Sequence, residues 1–129
     1  MSDKGTNLKE KLRQALTSTI RVISDDLNTK PNNNSNKVDF FEFNKLDNKI
    51  DFIKARAEAD SSAVKKKFSN NEIYMKNLPN NSSCKSLYSI AERIRYETLG
   101  SKMLKGIEKN LKDNYTLRIN LKKKNQLKT

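Results

Sequence analysis

The sequence predicts an all-α protein, a small helical bundle of about three main helices with a short extended segment near residues 38–43 and a frayed basic tail. Apolar residues recur at three- and four-residue intervals in three separate stretches, the signature of amphipathic helices. Asparagine- and proline-bearing breaks separate those stretches, and a single short aromatic run reads as strand. A chain of 129 residues suits one domain with a modest core. Apolar residues make up 34% and charged residues 33%, so that core is expected to be thin. The expected division is a helical domain over residues 1–115 and a basic, disordered tail over 116–129.

The first helix is expected over Thr6 to Asp26, where Leu8, Leu12, Ala15, Leu16, Thr19, Ile20, Ile23 and Leu27 share one face. Pro31 and the run "NNNSN" then predict a loop, because asparagine tolerates turn conformations. The stretch "VDFFEF", Val38 to Phe43, is β-prone, but a lone short strand is not stable, so it is read as an extended segment laid on the helices.

A second helix begins at Leu46, with Ile50, Ile53, Ala57, Ser61, Val64 and Phe68 continuing its apolar face. The small Ala57 and Ser61 in mid-stripe predict close approach by a neighbour. Pro79 marks the next break, and Ser82 or Ser83 is the expected cap of the third helix.

That third helix is expected from about Cys84 to Leu111. Leu87, Ile90, Ala91 and Ile94 point one way, while Leu99, Met103, Ile107 and Leu111 point another. The stripe changes face near Gly100, so either the helix bends there or its halves meet different neighbours. A helical glycine costs roughly 1 kcal/mol against alanine. Gly100 and Gly106 are therefore read as packing positions that admit another backbone. The tail "LRINLKKKNQLKT" shows little periodicity and is expected to fray.

Lysine and arginine number 27 against 15 acids, a formal charge of +12. A polyanionic partner is one reading, and a lysine- and asparagine-rich composition spread over an ordinary surface is the other. The lysines follow no nucleic-acid motif: Lys65, Lys66 and Lys67 wrap around a helix, and Tyr88, Tyr96 and Tyr115 are not spaced as a stacking platform. The single Cys84 cannot close an intramolecular disulfide, which implies a reducing compartment. No apolar run approaches the roughly 20 residues of a membrane span, and the N-terminus is polar, so a soluble cytoplasmic protein is expected.

Histidine is absent, which excludes Ser-His-Asp and Cys-His catalysis and removes the commonest zinc ligand. Glu92, Glu97 and Glu108 read as solvated partners of nearby cations. "LGSK", Leu99 to Lys102, lacks the earlier glycine, the residue order and the preceding strand of a phosphate loop. No catalytic, cofactor-binding or metal-ligating residue is assigned.

Two blocks carry a likeness. The first is "LKEKLRQALTSTIRVIS", Leu8 to Ser24. The second is "IKARAEADSSAVKKKFSNNEIYMKNLP", Ile53 to Pro79, followed by "LYSIAERIRYETLGSKMLKGIEKNL", Leu87 to Leu111. Together they resemble the N-terminal region of the T subunit (CobT) of the aerobic cobaltochelatase, which inserts cobalt into a corrin ring in cobalamin biosynthesis. The family's R-x-E-A-D element appears as Arg56, Glu58, Ala59 and Asp60. Its E-x-x-R-x-E-x-x-G-x-x-x-M-x-G-x-x-x-N-L element appears as Glu92, Arg95, Glu97, Gly100, Met103, Gly106, Asn110 and Leu111. The likeness spans about the first two-thirds to three-quarters of the chain and fades after Leu111. The family's acidic middle and integrin-like metal-adhesion domain have no counterpart in these residues, so the chain reads as a truncated or degenerate member.

The resemblance implies a non-catalytic helical subunit or fragment that assists cobalt insertion through protein–protein docking. Its implied partners are an AAA+ ATPase subunit and a large corrin-binding subunit, and the complex would use cobalt and Mg-ATP, neither held by this chain. Arg56, Glu58, Asp60, Glu92, Arg95, Glu97, Gly100, Met103, Gly106 and Asn110 are then interaction residues or a fold signature. As interaction residues, opposite charges of the two elements would pair across a helix interface that Gly100 and Gly106 bring close. The alternative function is a small basic nucleic-acid-binding protein.

Overall fold

In the computed structural model, the structure describes residues 3–24 and 49–127. Among the described residues five helices follow one another: α1 Asp3–Ile23, α2 Lys49–Phe68, α3 Asn71–Lys76, α4 Ser82–Met103 and α5 Lys105–Leu127. No strand occurs among the described residues, and the fold is all-α as the periodicity predicts. The loop at Pro31, the segment 38–43 and Leu46 lie outside the described residues.

Helix α2 is the axis of the bundle and packs against α1, α4 and α5. Its sequence suits that position. Ala55, Ala57, Ala59 and Ala63 are all buried, and alanine both favours helix and keeps neighbouring axes close. Two seams result. Against α1, the alanines 55, 59 and 63 meet Leu16 and Ile20, with Leu12 and Ile23 at the margin. Against α4 and α5, Ala57 and Val64 meet Tyr96, Ile107 and Leu111.

The expected α2 stripe is half of the story. Ala57, Ser61 and Val64 are buried as predicted, whereas Ile50 is exposed, and the second buried face through Ala55, Ala59 and Ala63 carries no large apolar residue to announce it. On α1 the stripe takes hold only from Leu12, since Leu8 is exposed.

The short helix α3 is started by Asn70, whose side chain accepts from the backbone N–H groups of Glu72 and Ile73. The cap of α4 is Asn81, not Ser82 or Ser83: its Oδ1 accepts from Ser83 N at 2.8 Å and Cys84 N at 3.3 Å. Asparagine satisfies the same free donors as serine, and its position one residue earlier adds a residue to the helix.

The expected continuous helix from Cys84 to Leu111 is instead two. Leu104 adopts extended backbone (φ −137°, ψ 124°), so the chain turns four residues beyond Gly100. The turn is well satisfied: Leu104 N donates to Gly100 O at 3.0 Å, and Leu104 O accepts from Ile107 N and Glu108 N. Beyond it α5 runs to Leu127, so residues 116–127 continue a helix rather than begin a frayed tail. The stripe Ile107, Leu111, Asn114, Leu117 and Leu121 is buried or half-buried throughout. The polar Asn114 within it masks its continuity in the sequence.

Candidate functional site

Of the residues singled out in the sequence, Asp60, Glu97, Gly100 and Asn110 converge on the seam between α2, α4 and α5. Its closeness comes from Gly100. A Cβ built there would lie 2.3 Å from Val64 Cγ1 and 3.0 Å from Val64 Cβ, so any side chain collides with a stiff β-branched neighbour. Gly106 plays no such part: nothing lies within 4 Å of its virtual Cβ, and no backbone approaches it as expected. Met103 and Gly106 are both exposed.

At the centre of the seam stands the buried carboxylate of Glu97. Ser61 Oγ of α2 donates to it at 2.7 Å, Arg93 Nε of α4 at 2.8 Å, and Tyr115 OH of α5 at 2.6 Å. One acceptor thus ties three helices. Burial opposes charge on Arg93, but the Glu97 hydrogen bond and charge outweigh it and hold the guanidinium proton more firmly than usual. Burial, followed by the hydrogen bond to Glu97, pushes the Tyr115 hydroxyl above the ordinary tyrosine range. Tyr96, buried beside them, is raised chiefly by burial as well.

A second link joins Asp60 of α2 to α5, where Asn110 Nδ2 donates to Asp60 Oδ2 at 2.7 Å. Burial raises the Asp60 carboxyl above the ordinary range, and the Asn110 bond and the Arg56 charge offset this in part. Glu58 is raised by burial too, against the charges of Arg118, Arg93 and Lys54. Its Oε1 lies 3.8 Å from Arg118 Nη2. Arg56 itself is exposed and sits over the Phe52 ring at 5.5 Å.

Arg95 closes the top of the seam. It grips Glu92 through two bonds of 2.6 and 2.9 Å and donates to Phe68 O at 2.8 Å, which fixes the end of α2 against α4. Glu92 also accepts from Ser69 Oγ at 3.0 Å. The Arg95 hydrogen bond holds the Glu92 carboxyl below its ordinary range.

The two signature elements therefore meet, but not as opposite charges. Hydroxyl and amide donors bridge them, while the ion pairs run within α4 or from α2 to α5. Neutral donors suit a buried carboxylate here because only one side of the contact needs desolvating as a charge. Sequence reasoning passed over Arg93, Tyr115, Arg118 and Ser69. Arg93 was findable from its four-residue spacing to Glu97, and the rest had no local signal.

The N-terminal half of α4 is unlike its C-terminal half, where all of its buried residues lie. Leu87, Ile90 and Ile94, spaced three and four apart, are 68%, 55% and 60% exposed. That stripe faces solvent, and α4 is held through Tyr96, Glu97 and Gly100. Among the described residues, no three His, Cys, Asp or Glu side chains gather as metal ligands, and no helix is long and apolar enough to cross a membrane.

A search of curated proteins and a search of solved structures each find no match to this chain. The family model for "Cobalamin biosynthesis protein CobT" matches residues 6–129, including the lysine-rich stretch beyond Leu111 where the likeness was expected to fade. With nearly its whole length matched and the family's spaced acids, asparagine and first glycine gathered in one seam, the chain belongs to the CobT family of cobalamin biosynthesis proteins.

Proposed function

We propose that this chain is a non-catalytic docking module of an ATP-dependent cobaltochelatase, which assists insertion of cobalt into a corrin ring by holding the AAA+ ATPase subunit beside the large corrin-binding subunit. The observation that carries this reading is the open apolar stripe of α4, Leu87, Ile90 and Ile94, on a helix that Glu97 and Gly100 lock further along its length. The family's signature residues then serve the platform, and the stripe serves the partner. Covering three such side chains is worth roughly 5 kcal/mol before the costs of association. The occupant is an apolar segment of the ATPase subunit with acidic flanks, since a chain of charge +12 repels a basic one and a second copy of itself. Cobalt is cargo in this scheme, and ATP belongs to the partner.

Capture of the AAA+ subunit by this chain, with and without ATP, tests the reading. At about 0.15 M salt, exposed charges are screened over roughly 8 Å and non-specific attraction falls away. The double variant Ile90→Asp/Ile94→Asp is expected to abolish capture while thermal unfolding stays within about 2 °C of the parent, because both positions are solvent-exposed. Undiminished capture by that variant, or tight salt-sensitive binding to nucleic acid with none to the chelatase subunits, would overturn it.

A further inference from the structure

Where α2, α3 and α4 meet, an open cavity of about 460 Å³ adjoins the top of the carboxylate seam at Ser69, Glu92 and Tyr96 and includes no residue of the α4 stripe. That size is within the roughly 300–1,000 Å³ of small-molecule sites. Its chemistry is one-sided. Ser62, Lys65 and Lys66 line it from α2, Tyr74 from α3, and Ser89 and Glu92 from α4. Glu92 is the one acid among the lining residues, and Arg95 and Ser69 already occupy its carboxylate. Neither Lys65 nor Lys66 has an ion-pair partner among the described residues. The walls are braced: Tyr74 packs on Tyr88 with ring centroids 4.9 Å apart, and Arg95 ties α4 to the end of α2.

Two ammonium groups without an ion-pair partner among the described residues, with several hydroxyl donors around an open hollow, complement a compact dianion better than a single carboxylate. A phosphate group offers that charge together with three acceptor oxygens, and lysine binds phosphate as a point charge without needing a planar fork. We propose that this cavity binds a phosphate group, free or as the monoester end of a small molecule, between Lys65 and Lys66, with Ser62 and Ser89 donating to its remaining oxygens. The site is independent of partner docking, since none of its residues belongs to the α4 stripe.

Titration of the full chain with inorganic phosphate and with phenyl phosphate, followed by phosphorus NMR at about 0.15 M salt, tests the site. Saturable binding is expected for the parent. Lys65→Ala/Lys66→Ala should weaken it at least about tenfold, as loss of charged hydrogen bonds does. Ser89→Leu should weaken it as well, by filling the cavity with no change of charge. Lys122→Ala/Lys123→Ala removes the same charge from α5 and should leave binding intact. Tighter binding of the ester assigns the site to a small molecule, and equal binding assigns it to phosphate itself. Equal weakening by the two double-lysine variants, indifference to Ser89→Leu, or equally tight binding of glutarate would overturn the proposal. Circular dichroism of each variant separates a lost site from a lost fold.

Discussion

Against α1, helix α2 presents Ala55, Ala59 and Ala63 to Leu16 and Ile20; against α4 and α5, it presents Ser61 and Asp60 to Glu97 and Asn110. The first seam is dry, and its attraction is non-directional, so a change of methyl groups shifts energy more than geometry. The second is polar at its centre. A buried carboxylate displaced from its donors forfeits desolvation and hydrogen bonding together, so that seam admits one register. A single helix thus carries one face that supplies adhesion and another that supplies alignment.

The sharpest way to break this contrast is to remove the shared acceptor. Glu97→Ala leaves Ser61, Arg93 and Tyr115 without their common partner. A loss of about 4 kcal/mol is expected from urea unfolding. A loss below about 1 kcal/mol would mean that the polar centre aligns nothing.

Next in size is Gly100→Ala. The new methyl meets Val64 Cγ1 at 2.3 Å, and overpacking of that kind costs about 2–3 kcal/mol. If the collision is the cause, Val64→Ala made in the same chain recovers part of the loss, so the double-mutant cycle shows favourable coupling. Gly106→Ala, with nothing within 4 Å, should instead stabilise by a few tenths to about 1 kcal/mol, as expected for a helical site.

The dry seam should be more forgiving. Ile20→Val in the α1 contact removes one methylene from a buried site, for an expected cost of about 1 kcal/mol. The far-ultraviolet signal should be unchanged.

The smallest effect concerns pH. Asp60 and Glu58 hold their protons above the ordinary carboxylate range in the folded state. Between that range and their raised folded values the native chain binds more protons than the unfolded one, so their contribution falls as pH rises from about 4. Glu92, held low, acts oppositely: its stabilisation is present above the ordinary range and is lost as pH drops through its lowered value. Asp60→Asn retains an acceptor for Asn110 and should stay within about 1 kcal/mol of the parent at pH 7. Its stability curve should decline less as pH rises out of the ordinary carboxylate range. An unchanged slope would remove Asp60 from the titration.

The sequence was legible where one apolar stripe meets one neighbour. Helix α1 is such a case, and Leu16 and Ile20 lie where periodicity puts them. Helix α2 was half legible, because alanine fills its second face and weighs little in any apolar pattern. The break at Leu104 was missed for a physical reason: leucine is a strong helix former, and the conspicuous residue nearby was Gly100, which serves packing rather than turning. Periodicity also locates a stripe without saying whether anything covers it, and Leu87, Ile90 and Ile94 form one that stays exposed. Of the candidate residues, the place of Glu97 and Asn110 depended on Ser61, Tyr115 and Asp60, partners 18 to 50 residues away in the chain.

The turn at Leu104 also sets an order of assembly. One residue separates α4 from α5, whereas residues 24–48 separate α1 from α2. Closing a contact costs more chain entropy as the separation in sequence grows. The α4–α5 hairpin therefore closes with almost no chain entropy to overcome, and α1 docks under the larger handicap. In hydrogen exchange the amides of α1 should be the first to open, while those around Tyr96 and Leu111 open last.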